Sequence, residues 1–462
     1  LMYRMLAVRR VAGGGCGTRV AGVERLRKAN AAGLPLVFVP LHRSHFDYIL
    51  MTFTLYLTVL AYYVVIICLS LKLGWAYILN SLAAGNNLEF FIEGGRTRTG
   101  KPQTPKAGIL SVIMDAYLDG TIDDALLVPA TLNYDKLVDG NFVREQLGMP
   151  KQMETFWSAL RGIWRTLNTN HGSIRVDFNQ PISLKVSFEL RVHSRETTER
   201  CILGPNSRLV NYAAQATALM CTNVISYVLL TEARRGASLA QLTASVAARQ
   251  AALTTEGRDL GYTGEARQAV KHALDMLGRG LVRREGGGER LVVRPHTSIA
   301  ASLELAYYAN AVVAHYAAPA IVESLVCSSP CTSVRSCELL AASLQLCEVL
   351  SHEFIVCAPC QRIQDRMLDA IDALEAHQVI YKEKLITIVF FKLSRSVGEA
   401  VSTDAINNCL RLLRQWGVVD MFTEKRTRTV RLPAPYDSPE ALHTVCQNVY
   451  KFNMDTPLLN NK

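Results

Sequence analysis

Apolar and polar positions alternate with elements of changing period along this chain. Leu36-Val37-Phe38-Val39, bracketed by Pro35 and Pro40, is a short apolar run that predicts a buried strand. From Tyr48 to Leu71 no residue carries a charge. As one helix at about 1.5 Å per residue this run could cross a bilayer core of about 30 Å. A pair of buried core helices is the alternative, since Thr52, Thr54, Thr58 and Ser70 interrupt it. Trp75 to Ala84 reads as a helix broken by Gly85-Asn86-Asn87, and Leu88 to Ile92 as a strand. Gly108 to Tyr117 predicts a helix, Ala125 to Leu132 a strand, and Ser173 to Phe178 alternates as a half-buried strand should.

Strands separated by helices up to about residue 190 make an α/β layer, a mixed sheet flanked by helices. The texture then changes. Residues 205–280 are rich in Ala and Leu at helical spacing, Gly286-Gly287-Gly288 makes a break, and 300–325 and 335–450 read as helical. A strand-like run at Leu385–Phe391 is the exception. The division expected is a basic leader at 1–30, without fixed structure, an α/β domain at 31–195 and a mostly helical region at 196–462.

Composition changes this picture in three ways. With 462 residues, 49% of them hydrophobic and 19% charged, the chain can bury substantial cores and is not disordered. A mean hydropathy of +0.13 points toward membrane contact. The net charge of +10 suits an anionic membrane or phosphate-bearing substrates. It does not argue for nucleic acid, because the basic residues are dispersed and not interleaved with aromatics. Residues 1–28 carry Arg4, Arg9, Arg10, Arg19, Arg25 and Arg27, a pattern shared by mitochondrial transit sequences and by plain solvated leaders. The 12 cysteines follow no disulfide framework. Cys327, Cys331 and Cys337 with Cys357 and Cys360 are the closest approach to a zinc set, and idle thiols are the better reading.

Two groups of residues carry candidate chemistry. In the first, His42 precedes Asp47 by five positions at the entry to an apolar run. A carboxylate in the first turn of a helix can hold one nitrogen of an imidazole on the preceding loop and leave the other to act as a general base. Ser44-x-x-Asp47 also resembles a capping box, which would need no catalysis. In the second, an apolar strand runs into Glu93-Gly94-Gly95-Arg96-Thr97-Arg98-Thr99-Gly100-Lys101. Glycines let backbone N–H groups approach a phosphate, and arginine grips it with a two-pronged fork. Delivery by a strand puts that loop at the ligand-binding edge of an α/β sheet. A solvated surface loop is the alternative.

Together these segments resemble known motifs. His42-Arg43-Ser44-His45-Phe46-Asp47 is similar to the first motif of the glycerophosphate acyltransferase superfamily, and Phe91 to Arg98 to its third. Leu127-Val128-Pro129-Ala130 with Asn133-Tyr134-Asp135 resembles the fourth. Gln146 to Lys151 and Gly172 to Pro181 resemble the mitochondrial-type glycerol-3-phosphate enzymes and their peroxisomal dihydroxyacetone-phosphate relatives.

The resemblance implies an α/β acyltransferase domain followed by a mostly α-helical C-terminal region. It implies transfer of an acyl group from acyl-CoA to the primary hydroxyl of glycerol-3-phosphate, the first step of glycerolipid synthesis. His42 would be the base and Asp47 its orienting group, with no metal, cofactor or covalent acyl-enzyme. Arg43, Ser44, Glu93, Gly94, Gly95, Arg96, Arg98, Lys101 and Pro129 would line the substrate site. The setting implied is the mitochondrial outer membrane, with the peroxisomal or ER membrane as alternatives; the membrane lipid is a partner, and the oligomeric state is unspecified.

The chain departs from the family at one point. The second motif, an apolar strand followed by an arginine that helps hold the phosphate, belongs between the first and third. Here no arginine lies between Arg43 and Arg96, and Lys72 is the one lysine in the interval. That absence favours a competing reading as a non-catalytic membrane-associated relative; dihydroxyacetone phosphate as acceptor is the other, since it differs from glycerol-3-phosphate at one carbon and no residue here separates the two.

Overall fold

The computed structural model describes residues 20–57, 63–65, 71–137, 142–147, 170–186, 205–287, 291–328, 335–357, 361–376 and 402–434, with scattered positions up to 445; residues 32, 45, 104, 107, 425 and 426 are excluded. The first elements are α1 (Val20–Ala31), β1 (Leu36–Pro40), α2 (Asp47–Leu57), β2 (Tyr63–Val65), α3 (Leu71–Ala83), β3 (Asn87–Glu89), α4 (Gly108–Leu118) and β4 (Leu126–Tyr134). Then come α5 (Phe142–Gln146), β5 (Ile174–Phe178) and β6 (Ile182–Ser183). The six strands form one mixed sheet in the order β2-β3-β1-β4-β5, with β6 also on β4. Strands β2, β3, β1 and β4 run parallel, and β5 and β6 run antiparallel to β4.

Strand alternation sorts the side chains. Leu36 and Phe38 of β1 and Val128, Ala130, Leu132 and Tyr134 of β4 share one buried cluster with Leu26 of α1 and Leu50, Met51 and Leu55 of α2. Residues 20–30 are thus a helix packed on the sheet rather than an unstructured leader; residues 1–19 lie outside the described residues. Pro129 pairs in register with Val39 in mid-sheet. Its carbonyl accepts from Asn179 N–H at 2.9 Å. Its nitrogen therefore faces the link between β5 and β6, where proline costs the ladder no bond.

The Tyr48–Leu71 run is not one helix. Helix α2 ends at Leu57 after 11 residues, and β2 follows as an edge strand on β3. At about 1.5 Å per residue α2 is too short to span a bilayer, and its Met51 and Leu55 are spent on the core. The expected Leu88–Ile92 strand is shorter and shifted, ending at Glu89 so that the chain can turn into the glycine loop.

Further on lie α6 (Pro205–Gln215), α7 (Cys221–Thr231), β7 (Ala237–Ser238), α8 (Leu239–Thr255), α9 (Ala266–Leu281), β8 (Val282–Glu285), β9 (Val292–Pro295) and α10 (Ile299–Ser328). Strands β7, β9 and β8 form a small antiparallel sheet, which the helical reading of this region did not include. Leu1–Glu145 with Met149–Val312 make one compact unit, so the helices between Pro205 and Val312 group with the sheet. The texture change at 190–205 falls mostly on residues outside those described.

The second unit comprises Gln146–Gly148 and Val313–Lys462. It holds the end of α10, α11 (Ser336–Val349), α12 (Ile363–Ala376), α13 (Thr403–Gln415), β10 (Asp420–Glu424) and β11 (Thr427–Arg431). Ile321, Val322, Leu325, Met367 and Ile371 are among its core residues. The β10–β11 hairpin replaces helix at the end of the 335–450 stretch, where the β-branched Thr427, Thr429 and Val430 favour a strand. Leu385–Phe391 lies outside the described residues.

Candidate active site

Three parallel strands deliver their C-terminal ends to one edge of the sheet. Beyond β1, the Leu41 N–H bonds the Ala130 carbonyl at 3.1 Å, and the chain leaves the ladder at His42. Asp47 opens α2 and is fully buried. The loop between them wraps its carboxylate. Asp47 Oδ2 accepts from the backbone N–H of Arg43 at 2.6 Å and of Ser44 at 2.8 Å, and lies 2.9 Å from His42 Nδ1. Tyr134 donates its hydroxyl to the other oxygen, Oδ1. The capping and dyad readings of this segment therefore coincide in one carboxylate. The His42 ring stacks on Phe91 with centroids 3.9 Å apart, and its side chain keeps 15% exposure, an opening through which a ligand can reach it.

The second loop follows β3. Glu93, buried, accepts from the His42 N–H at 2.9 Å and the Gln103 N–H at 2.7 Å, tying the two loops together. Burial lifts its carboxyl to about 7 against the pull of those two bonds. Gly94 has φ +64°, and a Cβ there would meet Lys106 Cδ at 2.6 Å, so the turn requires glycine. Thr97 N–H bonds the His42 carbonyl at 2.9 Å, and its hydroxyl donates to the Lys101 carbonyl at 2.9 Å. Gly95, Arg96, Arg98 and Lys101 are all half-buried, and Arg98 pairs with Glu145 at 3.2 Å.

Residues the sequence reading did not single out hold this loop from behind. Asn310 of α10 donates to the Thr99 carbonyl at 2.7 Å. The Tyr307 carbonyl lies over Gly100, where φ +75° and that contact exclude any side chain. Arg43 reaches the Gly100 carbonyl at 3.5 Å. Glu89, at the end of β3, is buried with neither carboxyl oxygen hydrogen-bonded among the described residues. Burial first, and the Asp47 charge second, raise it to about 8. Of the eleven residues expected at the site, His42 and Asp47 included, ten gather at this edge; Pro129 instead sits within the sheet.

The sequence profile described as "Glycerol-3-phosphate acyltransferase C-terminal region" matches residues 142–396. The chain belongs to this family. Among similar curated proteins is "Glycerol-3-phosphate acyltransferase 1, mitochondrial" of Homo sapiens, 27% identical over 427 residues, covering 73% of this chain and 52% of that protein. "Probable glycerol-3-phosphate acyltransferase, mitochondrial" of Caenorhabditis elegans is 27% identical over 420 residues, with 74% and 57% covered. "Glycerol-3-phosphate acyltransferase" of Xanthomonas axonopodis pv. citri is 32% identical over 197 residues, with 36% and 22% covered. The chain spans about half the length of the mitochondrial relatives it matches.

The glycerol-3-phosphate acyltransferase C-terminal region begins downstream of His42 and Arg98, yet it contributes Tyr307 and Asn310 to the unit that holds them. It also contributes Ser173, Cys221 and His272 to a buried polar knot. Asp135, just past β4, accepts from Ser173 N–H at 2.8 Å, lies 2.9 Å from His272 Nε2 of α9, and accepts from Cys221 Sγ of α7 at 3.5 Å. The three ligand-type atoms lie within 4.8 Å of one another. Burial, then Asp135, hold the Cys221 thiol well above its usual range, which suits it as the donor in this bond. The cluster is a hydrogen-bonded tie. Of the five cysteines weighed for zinc, Cys331 and Cys360 lie outside the described residues.

Proposed function

We propose that this chain carries the reacting centre of an acyl-CoA:glycerol-3-phosphate 1-O-acyltransferase. The observation that supports it is the buried Asp47 carboxylate 2.9 Å from His42 Nδ1, beside a glycine-turned basic loop at the sheet's C-terminal edge. In this reading His42 Nε2 takes the proton of the acceptor's primary hydroxyl while that oxygen attacks the thioester carbonyl. Asp47 stabilises the imidazolium that forms. Collapse of the tetrahedral intermediate breaks the C–S bond, and the imidazolium proton goes to the departing thiolate. No metal, cofactor or acyl-enzyme takes part.

Arg96, Arg98 and Lys101 with the Gly94-Gly95 backbone hold the phosphate, and Glu93 fixes their loop against His42. Arg43 and Ser44 shape the same pocket. The setting proposed is a mitochondrial membrane, its outer one, which supplies acyl chains and receives the product. Exposed Tyr48, Trp75 and Tyr77 on α2 and α3 support such a surface, since tyrosine and tryptophan favour the membrane–water interface. The helix Ile299–Cys327 is long and apolar enough to cross a membrane, but its Asn310 is committed to the site loop, which supports a core role.

The stretch without arginine between Arg43 and Arg96 favours a second reading, a folded relative whose phosphate grip is too weak for turnover. Transfer from palmitoyl-CoA to labelled glycerol-3-phosphate, with dihydroxyacetone phosphate as competing acceptor, separates the readings. Turnover abolished in His42→Ala supports the enzyme. A folded wild type without turnover supports the non-catalytic relative.

A further inference from the structure

Resting on the acyl-transfer reading, the inference concerns what aims the dyad. Tyr134 is the last residue of β4, is 4% exposed, and pairs in register with Ile174 of β5. Its ring belongs to the cluster that includes Leu50, Met51, Leu132 and Val176, so packing leaves it no alternative rotamer of similar quality. From that rigid base the hydroxyl donates to Asp47 Oδ1. The opposite oxygen, Oδ2, receives Arg43 N–H, Ser44 N–H and His42 Nδ1. A carboxylate gripped on one oxygen can still swing about its Cβ–Cγ bond. Gripped on both, its plane is fixed, and with it the direction of the imidazole.

We propose that Tyr134 is a positioning residue for the His42–Asp47 pair, holding the carboxylate plane so that His42 Nε2 points at the acceptor hydroxyl. The hydroxyl also draws off part of the Asp47 charge, moderating how strongly the carboxylate favours a protonated imidazole. The other titratable or charged groups that act on Asp47 or His42 are Glu89, Glu93, Tyr307 and Arg43. Burial raises the Glu89 carboxyl to about 8 and lifts the Tyr307 hydroxyl above its usual range, while Tyr134 is the donor placed on the carboxylate.

Tyr134→Phe removes the oxygen and keeps the ring. The kcat for acyl transfer falls about tenfold to a hundredfold, the worth of a hydrogen bond to a charged group, while both KM values stay within about twofold. A second readout needs no turnover. Diethylpyrocarbonate modifies neutral His42, and peptide mass spectrometry follows the reaction against pH. Its midpoint moves upward in the variant, because an unshared carboxylate charge favours imidazolium.

Val176→Ala loosens the same cluster without touching the hydroxyl, and it lowers Tm while leaving the midpoint in place. An unchanged midpoint in Tyr134→Phe, or an equal shift in Val176→Ala, overturns the proposal. If the wild type transfers no acyl group, the acyl-transfer reading fails by itself, and the modification midpoint still decides the role of Tyr134.

Discussion

Two buried aspartates in this chain each hold a histidine at 2.9 Å, Asp47 with His42 and Asp135 with His272. One strand serves both. Tyr134 and Asp135 are consecutive at the end of β4, so alternation sends the tyrosine to one pair and the aspartate to the other. The first pair is closed within five residues of chain; the second joins positions 137 apart. Asp47 takes two further bonds from its own loop and one from Tyr134, leaving the His42 ring at an opening beside the glycine turn. Asp135 takes its bonds from α7, α9 and the turn before β5, so it binds elements together. An equal His–Asp distance, made through Nδ1 in the first pair and Nε2 in the second, does not by itself mark a catalytic site. What separates the pairs is the sheet edge and the basic loop beside the first.

The contrast can be broken most directly at the histidines. His42→Ala lowers kcat by about 10²–10⁴, the usual worth of a general base, whereas His272→Ala leaves kcat within about threefold and lowers Tm. Equal losses in palmitoyl-CoA assays would erase the distinction. Next comes Asp135→Ala, which strands the His272, Ser173 and Cys221 groups. Chemical denaturation should show about 2–4 kcal/mol lost, the scale for breaking a buried pair.

Arg96→Ala sharpens the other side. It raises the KM for glycerol-3-phosphate about tenfold or more, as loss of a charge-assisted bond does, with the acyl-CoA KM unchanged. A rise in the acyl-CoA KM alone would move the phosphate elsewhere.

The smallest effect is a pH dependence. Glu89 titrates near 4.5 when unfolded and near 8 when folded. The folded state thus binds its proton more tightly, so the contribution of Glu89 to stability is fully present below about 4.5 and is lost as pH rises through 8. Glu89→Gln, which cannot ionise, flattens that decline and stabilises the chain at pH 8.5 by about 1–3 kcal/mol. The raised His272 contributes in the same direction, its stabilisation present below 6.5 and lost as pH rises through its folded value. Its half-exposed position keeps that share small. A thermal-melt series in the Glu89→Gln background isolates it.

Much of the site was legible because it is local. The loop from His42 to Asp47 closes on itself, and the prolines around Leu36–Val39 and the glycines at 94 and 95 punctuate the chain as their backbone constraints require. The uncharged Tyr48–Leu71 run was not legible. With no charged positions to mark a face, its period cannot separate one long helix from a helix and a strand, and pairing with β3 decided it. The threonine-rich β10–β11 hairpin was lost in a helical reading for the converse reason, its strands being short enough to pass for irregular helix.

The amino-acid order by itself determined the strand β1, the His42–Asp47 spacing and the basic glycine loop, since each is settled by neighbours in the chain. Only the tertiary structure brought Tyr134 to Asp47, His272 to Asp135, and Asn310 and Tyr307 onto the Thr99-Gly100 turn. Those contacts join residues 87 to 211 positions apart. No local pattern records them, because they exist only once sheet register and helix packing have chosen which faces meet.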